Sequence, residues 1–233
     1  ISILICLIFC LSPLTLAEGN TLQKPTRLGI DEDTSDEYIA DYIRLKIRDD
    51  FKEQNVNVYL GNDYKIVENK DFYIPDFSNQ VDYEVEVVVR INRLGKSVAE
   101  KFAPRYYAQV ALGIDFTARD MQNEARATGA PWDLCKGFDG SAVVSEFRDL
   151  ENIGAINDLN FRLEINGKTV QSANTKEMIF SVDEIITYVS QFYTLKIGDL
   201  IYTGTPDGVG PVKRGDRLKG YLQDELLLDF EIK

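Results

Sequence analysis

The sequence predicts one mixed domain of short strands and a few helices, preceded by an N-terminal stretch of different character. Three observations predict it. The 233 residues, 44% of them hydrophobic and 11% aromatic, suffice for one large core or two small ones. From Asn69 onward, strand-length apolar runs alternate with turn residues. Residues 1–68 instead hold an apolar run followed by a polar, acidic stretch, so the chain divides into an atypical segment, 1–68, and a catalytic-domain candidate, 69–233.

Composition removes several function classes. The net charge is −12, and affinity for phosphate backbones depends on clustered Lys and Arg, so nucleic acid is not an expected partner. The absence of histidine excludes His-based zinc sites, His-based triads and the commonest general base. Catalysis here must use carboxylates, lysine, water or a metal ion. Three cysteines, Cys6, Cys10 and Cys135, make no disulfide framework, which points to reducing surroundings and a cytoplasmic protein.

Taken in order, residues 1–17 form an apolar run of the length of a signal-peptide core, with Thr15-Leu16-Ala17 as a small-residue cleavage site. Pro13 interrupts a run already short for a bilayer, and no basic segment or initiating Met precedes it, so a truncated gene start is the competing reading. No other membrane segment is expected. Residues 35–51 carry Tyr38, Ile39, Tyr42, Ile43, Leu45, Ile47 and Phe51 as an amphipathic helical face behind Ser35 as N-cap, and residues 57–60 read as a short strand.

The next strand, residues 82–90, is Asp-Tyr-Glu-Val-Glu-Val-Val-Val-Arg. Alternation puts Tyr83, Val85, Val87 and Val89 on one side, and Glu84, Glu86, Val88 and Arg90 on the other. Two carboxylates on one face repel each other, and Glu is a poor strand former, unless a cation lies between them. A divalent ion would supply that cation, since magnesium and its relatives favour carboxylate oxygens. From this motif alone, an amphipathic strand with its polar face in water is the plainer reading.

A turn at residues 92–96, a helix near 99–107 and an apolar strand over 108–116 follow, and Asp115 stands at that strand's end, where scaffolds display functional groups. Arg119 and Gln122 lie one helical turn apart if a helix begins near Thr117. Lys136 sits between bulky apolar residues and a glycine-rich turn, as a desolvated lysine or an ordinary surface one. Alternation broken by Asn166-Gly167 predicts a hairpin over residues 159–170. Ser181 and Glu184 form a capping box ahead of an amphipathic helix. A buried strand, residues 200–203, then runs into Gly204-Thr205-Pro206-Asp207-Gly208, a loop that can bind a carboxylate or serve as a plain turn.

Several of these segments, in this order, resemble the fumarylacetoacetate hydrolase family, most closely its small acylpyruvase and oxaloacetate decarboxylase branch. The resemblance spans about residues 72–221 and rests on Tyr83-Glu84-Val85-Glu86, on residues 113–122, on Pro131-Trp132 followed by Lys136-Gly137-Phe138, on Met178-Ile179-Phe180-Ser181, and on Gly198-Asp199 with residues 203–212. It implies an α+β fold built on a mixed, strongly curved β-roll or sandwich with flanking helices, assembled as a homodimer around a Mg²⁺ or Mn²⁺ site. Carried over residue by residue, it implies Glu84, Glu86 and Asp115 as metal ligands and Lys136 as the active-site lysine. Arg119 and Gln122 match substrate-contacting positions, and Thr205 a substrate-carboxylate contact.

The implied activity is metal-dependent hydrolysis or decarboxylation at C–C bonds of short 2-oxo acids, or the related enol–keto isomerisation. The alternative is an impaired relative that binds metal and carboxylate ligands without turnover. Family members place a water-activating His/Glu pair ahead of the Glu-x-Glu strand, and these 233 residues contain no histidine to match it. Decarboxylation and isomerisation, which need no activated water, are therefore expected to outlast hydrolysis.

Overall fold

The structure, a computed structural model, describes residues 57–59 and 66–233. The apolar run 1–17 and the helix expected over 35–51 lie outside the described residues.

Among the described residues, three sheets make the framework. Strands β1 (Asn57–Tyr59), β2 (Ile66–Glu68), β3 (Val81–Tyr83), β4 (Val85–Ile91) and β5 (Tyr107–Asp115) precede β6 (Thr117–Ala118), β7 (Ala142–Val144) and β8 (Arg148–Asp149). The largest sheet runs β1, then β11 (Leu200–Tyr202), β4, β5, β7 and β2, with β8 beside β5. Its pairings are antiparallel except β2 with β7. A second sheet orders β10 (Lys168–Asn174), β9 (Asn160–Ile165), β13 (Arg217–Leu222) and β14 (Glu225–Glu231). The third is short, with β12 (Gly210–Pro211), β3 and β6. Few helices flank them, so the architecture is the expected α+β fold on a curved, mixed β-roll.

The sheets close on one core. Val85, Val87, Val89 and Ile91 of β4 pack with Leu112 and Ile114 of β5, Leu163 of β9 and Leu218 and Leu228 of the β13–β14 pair. Each such side chain stabilises the fold by roughly 1.5–3 kcal/mol on burial. Phe72 stacks on Phe116 with ring centroids 3.8 Å apart, tying the stretch before β3 to the end of β5. Among the described residues, Val88, Ala111, Ala142, Val144, Leu200 and Tyr202 form a second apolar cluster on the sheet's other face, so β4 is covered on both sides.

Two sequence expectations are refined. The strand expected over 82–90 breaks at Glu84 into β3 and β4, because Val81 and Asp82 pair with β6 while Val85 begins the long ladder with β5. The helix expected over 99–107 is a 3₁₀ segment, Glu100–Arg105. Pro104 lies inside it, and its missing N–H removes a helical hydrogen bond. The hairpin turns at Asn166 and Gly167, whose φ values of 52° and 80° give the left-handed pair that a two-residue hairpin requires. The capping box at Ser181 forms in both directions and starts the helix Val182–Phe192, whose Val182, Ile185, Ile186 and Val189 are buried.

Candidate metal centre

β4 and β5 are antiparallel neighbours in which Glu86 pairs with Gly113 and Val85 with Ile114. That register sets Asp115, the last residue of β5, beside the start of β4. One ligand oxygen from each of Glu84, Glu86 and Asp115 falls within 4.8 Å of the others. All three are 0% exposed, which rules out the water-facing reading of the Glu-x-Glu strand. Gly113 makes room for this register, since a Cβ there would lie 2.5 Å from the Tyr202 ring and 2.6 Å from Val88.

Cations arrive from two short helices that follow β6. Arg119 opens the helix Arg119–Thr128 and donates from Nη2 to Glu84 Oε1 at 2.5 Å and from Nε to Asp82 Oδ2 at 2.8 Å. Lys136 ends the four-residue helix Asp133–Lys136 and is 0% exposed. Its Nζ donates to Glu84 Oε2 at 2.8 Å and to Asp115 Oδ2 at 2.5 Å. Lys136 is thus the desolvated lysine of the two alternatives. Gln122 stands one turn after Arg119, as its spacing predicts, and its Oε1 accepts from Arg119 Nη1 at 2.5 Å and from Arg126 Nη2 at 3.3 Å. Its Nε2 is buried and has no partner among the described residues.

The two glutamates differ. The Lys136 and Arg119 charges draw the Glu84 carboxyl below the usual carboxylate range against the opposing effect of burial. Glu86 is pushed well above that range by burial and by the charges of Asp115 and Glu84. Its Oε2 accepts from the Gly204 amide at 2.7 Å, whereas Oε1 is a buried oxygen with no hydrogen-bond partner among the described residues.

This donor set fits a hard divalent cation. Such ions take carboxylate oxygens, and among these side chains the four carboxylates of Asp82, Glu84, Glu86 and Asp115 face two cations, Arg119 and Lys136. The surplus of carboxylates over cations here, and the Glu86 oxygen that has no hydrogen-bond partner among the described residues, are what a divalent ion would satisfy, because it would favour the ionised form that burial penalises.

Thr205 does not reach the carboxylates. Its Oγ1 donates to Val85 O at 2.9 Å, so it meets β4 at the residue between the two glutamates. Thr203 Oγ1 donates to Val87 O at 2.8 Å, and with the Gly204 amide these contacts lace the loop after β11 along β4. Sequence reasoning assigns the 159–170 hairpin to scaffold and misses Gln171, just beyond it, whose amide joins that lacing. A lone Gln in a strand gives no signal of this; only the register does.

The α+β roll thus brings a buried carboxylate triad, a buried lysine and an arginine together where β3, β4 and β5 meet. Residues 41–232 match the profile of the fumarylacetoacetate (FAA) hydrolase C-terminal domain, and the chain belongs to that enzyme family. It is 39% identical over 166 residues to the mitochondrial oxaloacetate tautomerase of Bos taurus, covering 71% of this chain and 75% of that protein. It is similar to the solved fumarylpyruvate hydrolase of Pseudomonas aeruginosa in complex with Mn²⁺ and pyruvate, with a TM-score of 0.71, 30% identity, and coverage of 75% of this chain and 77% of that one. The 2-hydroxyhepta-2,4-diene-1,7-dioate isomerase of Mycobacterium marinum superposes with a TM-score of 0.67 at 31% identity, over 75% of this chain and 67% of that one. No helix among the described residues is long and apolar enough to cross a membrane.

Proposed function

We propose that this chain is a metal-dependent enzyme acting on short 2-oxo acids, with Glu84, Glu86 and Asp115 as ligands of Mg²⁺ or Mn²⁺, and that oxaloacetate is its substrate type. The observation that carries the reading is the buried Glu84–Glu86–Asp115 cluster, whose ligand oxygens converge within 4.8 Å and in which Glu86 Oε1 has no hydrogen-bond partner among the described residues. Relatives named for oxaloacetate tautomerisation and fumarylpyruvate hydrolysis, one of them solved with Mn²⁺ and pyruvate, support the substrate class.

Bound by these carboxylates, a divalent ion supplies Lewis-acid polarisation of a 2-oxo acid's carbonyl. The chain's own residues do the rest. Lys136 sets a positive charge where enolate charge develops and holds a proton at Nζ for return to carbon. Arg119, committed to Asp82 and Glu84, fixes Gln122 through its Oε1 and so aims the unpaired Nε2 as a donor toward substrate. Thr205 and its loop receive the substrate carboxylate. Homodimeric assembly, residues 69–233 as the catalytic unit, and a cytoplasmic location complete the proposal.

Enol–keto isomerisation and decarboxylation need no activated water, whereas hydrolysis needs a positioned base worth about 10²–10⁴-fold in rate, and these 233 residues hold no histidine. The test measures oxaloacetate tautomerisation, oxaloacetate decarboxylation and acylpyruvate hydrolysis on one purified preparation with Mg²⁺ or Mn²⁺. Metal-dependent turnover of oxaloacetate with slow hydrolysis is expected. No turnover of any of these, alongside intact metal binding, leaves the impaired relative as the correct reading.

A further inference from the structure

Gln171 lies on β10, one strand away from β9 and outside the carboxylate cluster. The ladder between these strands pairs Lys168 with Ile165 and Thr169 with Glu164, then skips to Gln171 opposite Leu163. Val170 is the extra residue of a β-bulge. Residues directly opposite each other share a face, so a regular ladder would set Val170 beside Leu163, which is fully buried in the core. The bulge turns Gln171 inward in its place, and Gln171 is 2% exposed.

A buried amide must find partners, and this one finds a complete set. Oε1 accepts from the Val85 amide at 2.9 Å. Nε2 donates to Thr205 Oγ1 at 2.9 Å and to Pro206 O at 2.8 Å. The carbonyl of Pro206 can only accept and the Val85 amide can only donate, which fixes the orientation of the Gln171 amide. Two consequences follow for Thr205. Its hydroxyl oxygen is held between Gln171 and β4, and its one proton points to Val85 O. When the hydroxyl turns its proton to an anion, the Gln171 bond still holds the oxygen in place.

Resting on the function proposed above, we propose that Gln171 is a positioning residue for the substrate carboxylate, holding Thr205 and its loop in register with the Glu84–Val85–Glu86 segment. Gly208 supports the same seat. Its φ of 102° suits glycine, and a Cβ there would stand 2.3 Å from Val170 O, on the bulge itself.

The test uses pyruvate binding to the Mn²⁺-loaded full chain by calorimetry, and amide hydrogen exchange of the metal-free chain. Gln171→Met keeps length and removes all three bonds. We expect pyruvate affinity and KM for oxaloacetate to weaken about tenfold, with kcat within about threefold and Mn²⁺ affinity within about twofold. Exchange at Gly204 and Thr205 should quicken in the metal-free protein. Thr205→Val should weaken pyruvate binding by a similar factor, and the double variant by no more than either alone, because the two side chains act as one unit. Should Gln171→Met fail to fold, Gln171→Asn, whose shorter amide cannot span both partners, carries the same expectation. Unchanged pyruvate affinity in a folded Gln171 variant, or fully additive losses in the double variant, overturns the inference. Wild-type protein that binds Mn²⁺ but no pyruvate overturns the substrate reading first, and the inference with it.

Discussion

Glu84 and Glu86 stand two residues apart in the sequence, both with no exposed surface, yet their surroundings are opposite. Glu84 meets Arg119 and Lys136, side chains delivered by the helices after β6. Glu86 meets a single backbone amide, from the loop after β11, and keeps one oxygen without a partner. The helical half of the centre is therefore charge-compensated by the protein itself, and the loop half is left for something else to compensate. A strand supplies alternation, but the neighbours that arrive from distant sequence decide which carboxylate is held ionised and which resists ionisation.

The largest effect should come from breaking the compensated half. Glu84→Gln takes away the carboxylate that Arg119 and Lys136 share, leaving Arg119 with Asp82 and Lys136 with Asp115, and breaking buried ion pairs in this way costs up to about 3–5 kcal/mol. It also removes an anionic ligand, so Mg²⁺ or Mn²⁺ affinity should fall at least about 100-fold. Calorimetric titration and urea unfolding check both. Unaltered metal affinity in a folded Glu84→Gln protein would remove Glu84 from the ligand set.

Lys136→Met sharpens the contrast from the other side. It deletes a cation that sits 2.5 Å from Asp115 and 2.8 Å from Glu84, so metal affinity should hold or rise, since a like charge leaves. Turnover of oxaloacetate should nonetheless fall about 10²-fold, because positive charge beside the enolate is lost. Parallel loss of metal binding and turnover would instead make Lys136 a structural support.

How much of this centre is legible in the sequence depends on the range of the interactions. Glu84, Glu86, Arg119 and Gln122 can be read locally, because strand alternation and helical spacing fix which neighbours share a face. The hairpin at Asn166-Gly167 and the capping box at Ser181 are likewise local chemistry, and both form. The break of the strand at Glu84 is not legible, as it depends on β6 claiming Val81 and Asp82. Gln171 is invisible for the same reason: a bulge against β9 turns it inward, and its partners are 34 to 86 residues away. The functional reading of Lys136 comes from the family resemblance, not from its own neighbourhood, where the residues alone leave a surface lysine and a desolvated one both open.

The smallest predicted effect is a pH slope, and its sign separates the two glutamates. Glu86 has a folded-state pKa raised above the ordinary 4.5, so it binds a proton more readily in the folded chain than in the unfolded one. Its contribution to stability is full below about 4.5 and is lost as pH rises from there through the raised folded value. Glu84 is shifted the other way, so its contribution is present above the ordinary 4.5 and is lost as pH falls below it. In thermal melts of the metal-stripped protein between about pH 5 and 8, the Glu86 contribution should pull the melting temperature downward as pH rises. Glu86→Gln removes the group responsible, so its stability should match or exceed the wild type at pH 8 and the downward drift should flatten. Saturating Mg²⁺ or Mn²⁺ should reverse the wild-type slope, since an ion that binds the ionised carboxylates stabilises by mass action and favours the high-pH form. Thermal melts in chelator and in metal, across that pH range, check all three expectations. A metal-free drift of the same size in the wild type and Glu86→Gln would assign it to some other group and leave Glu86 without the raised proton affinity on which the contrast with Glu84 depends.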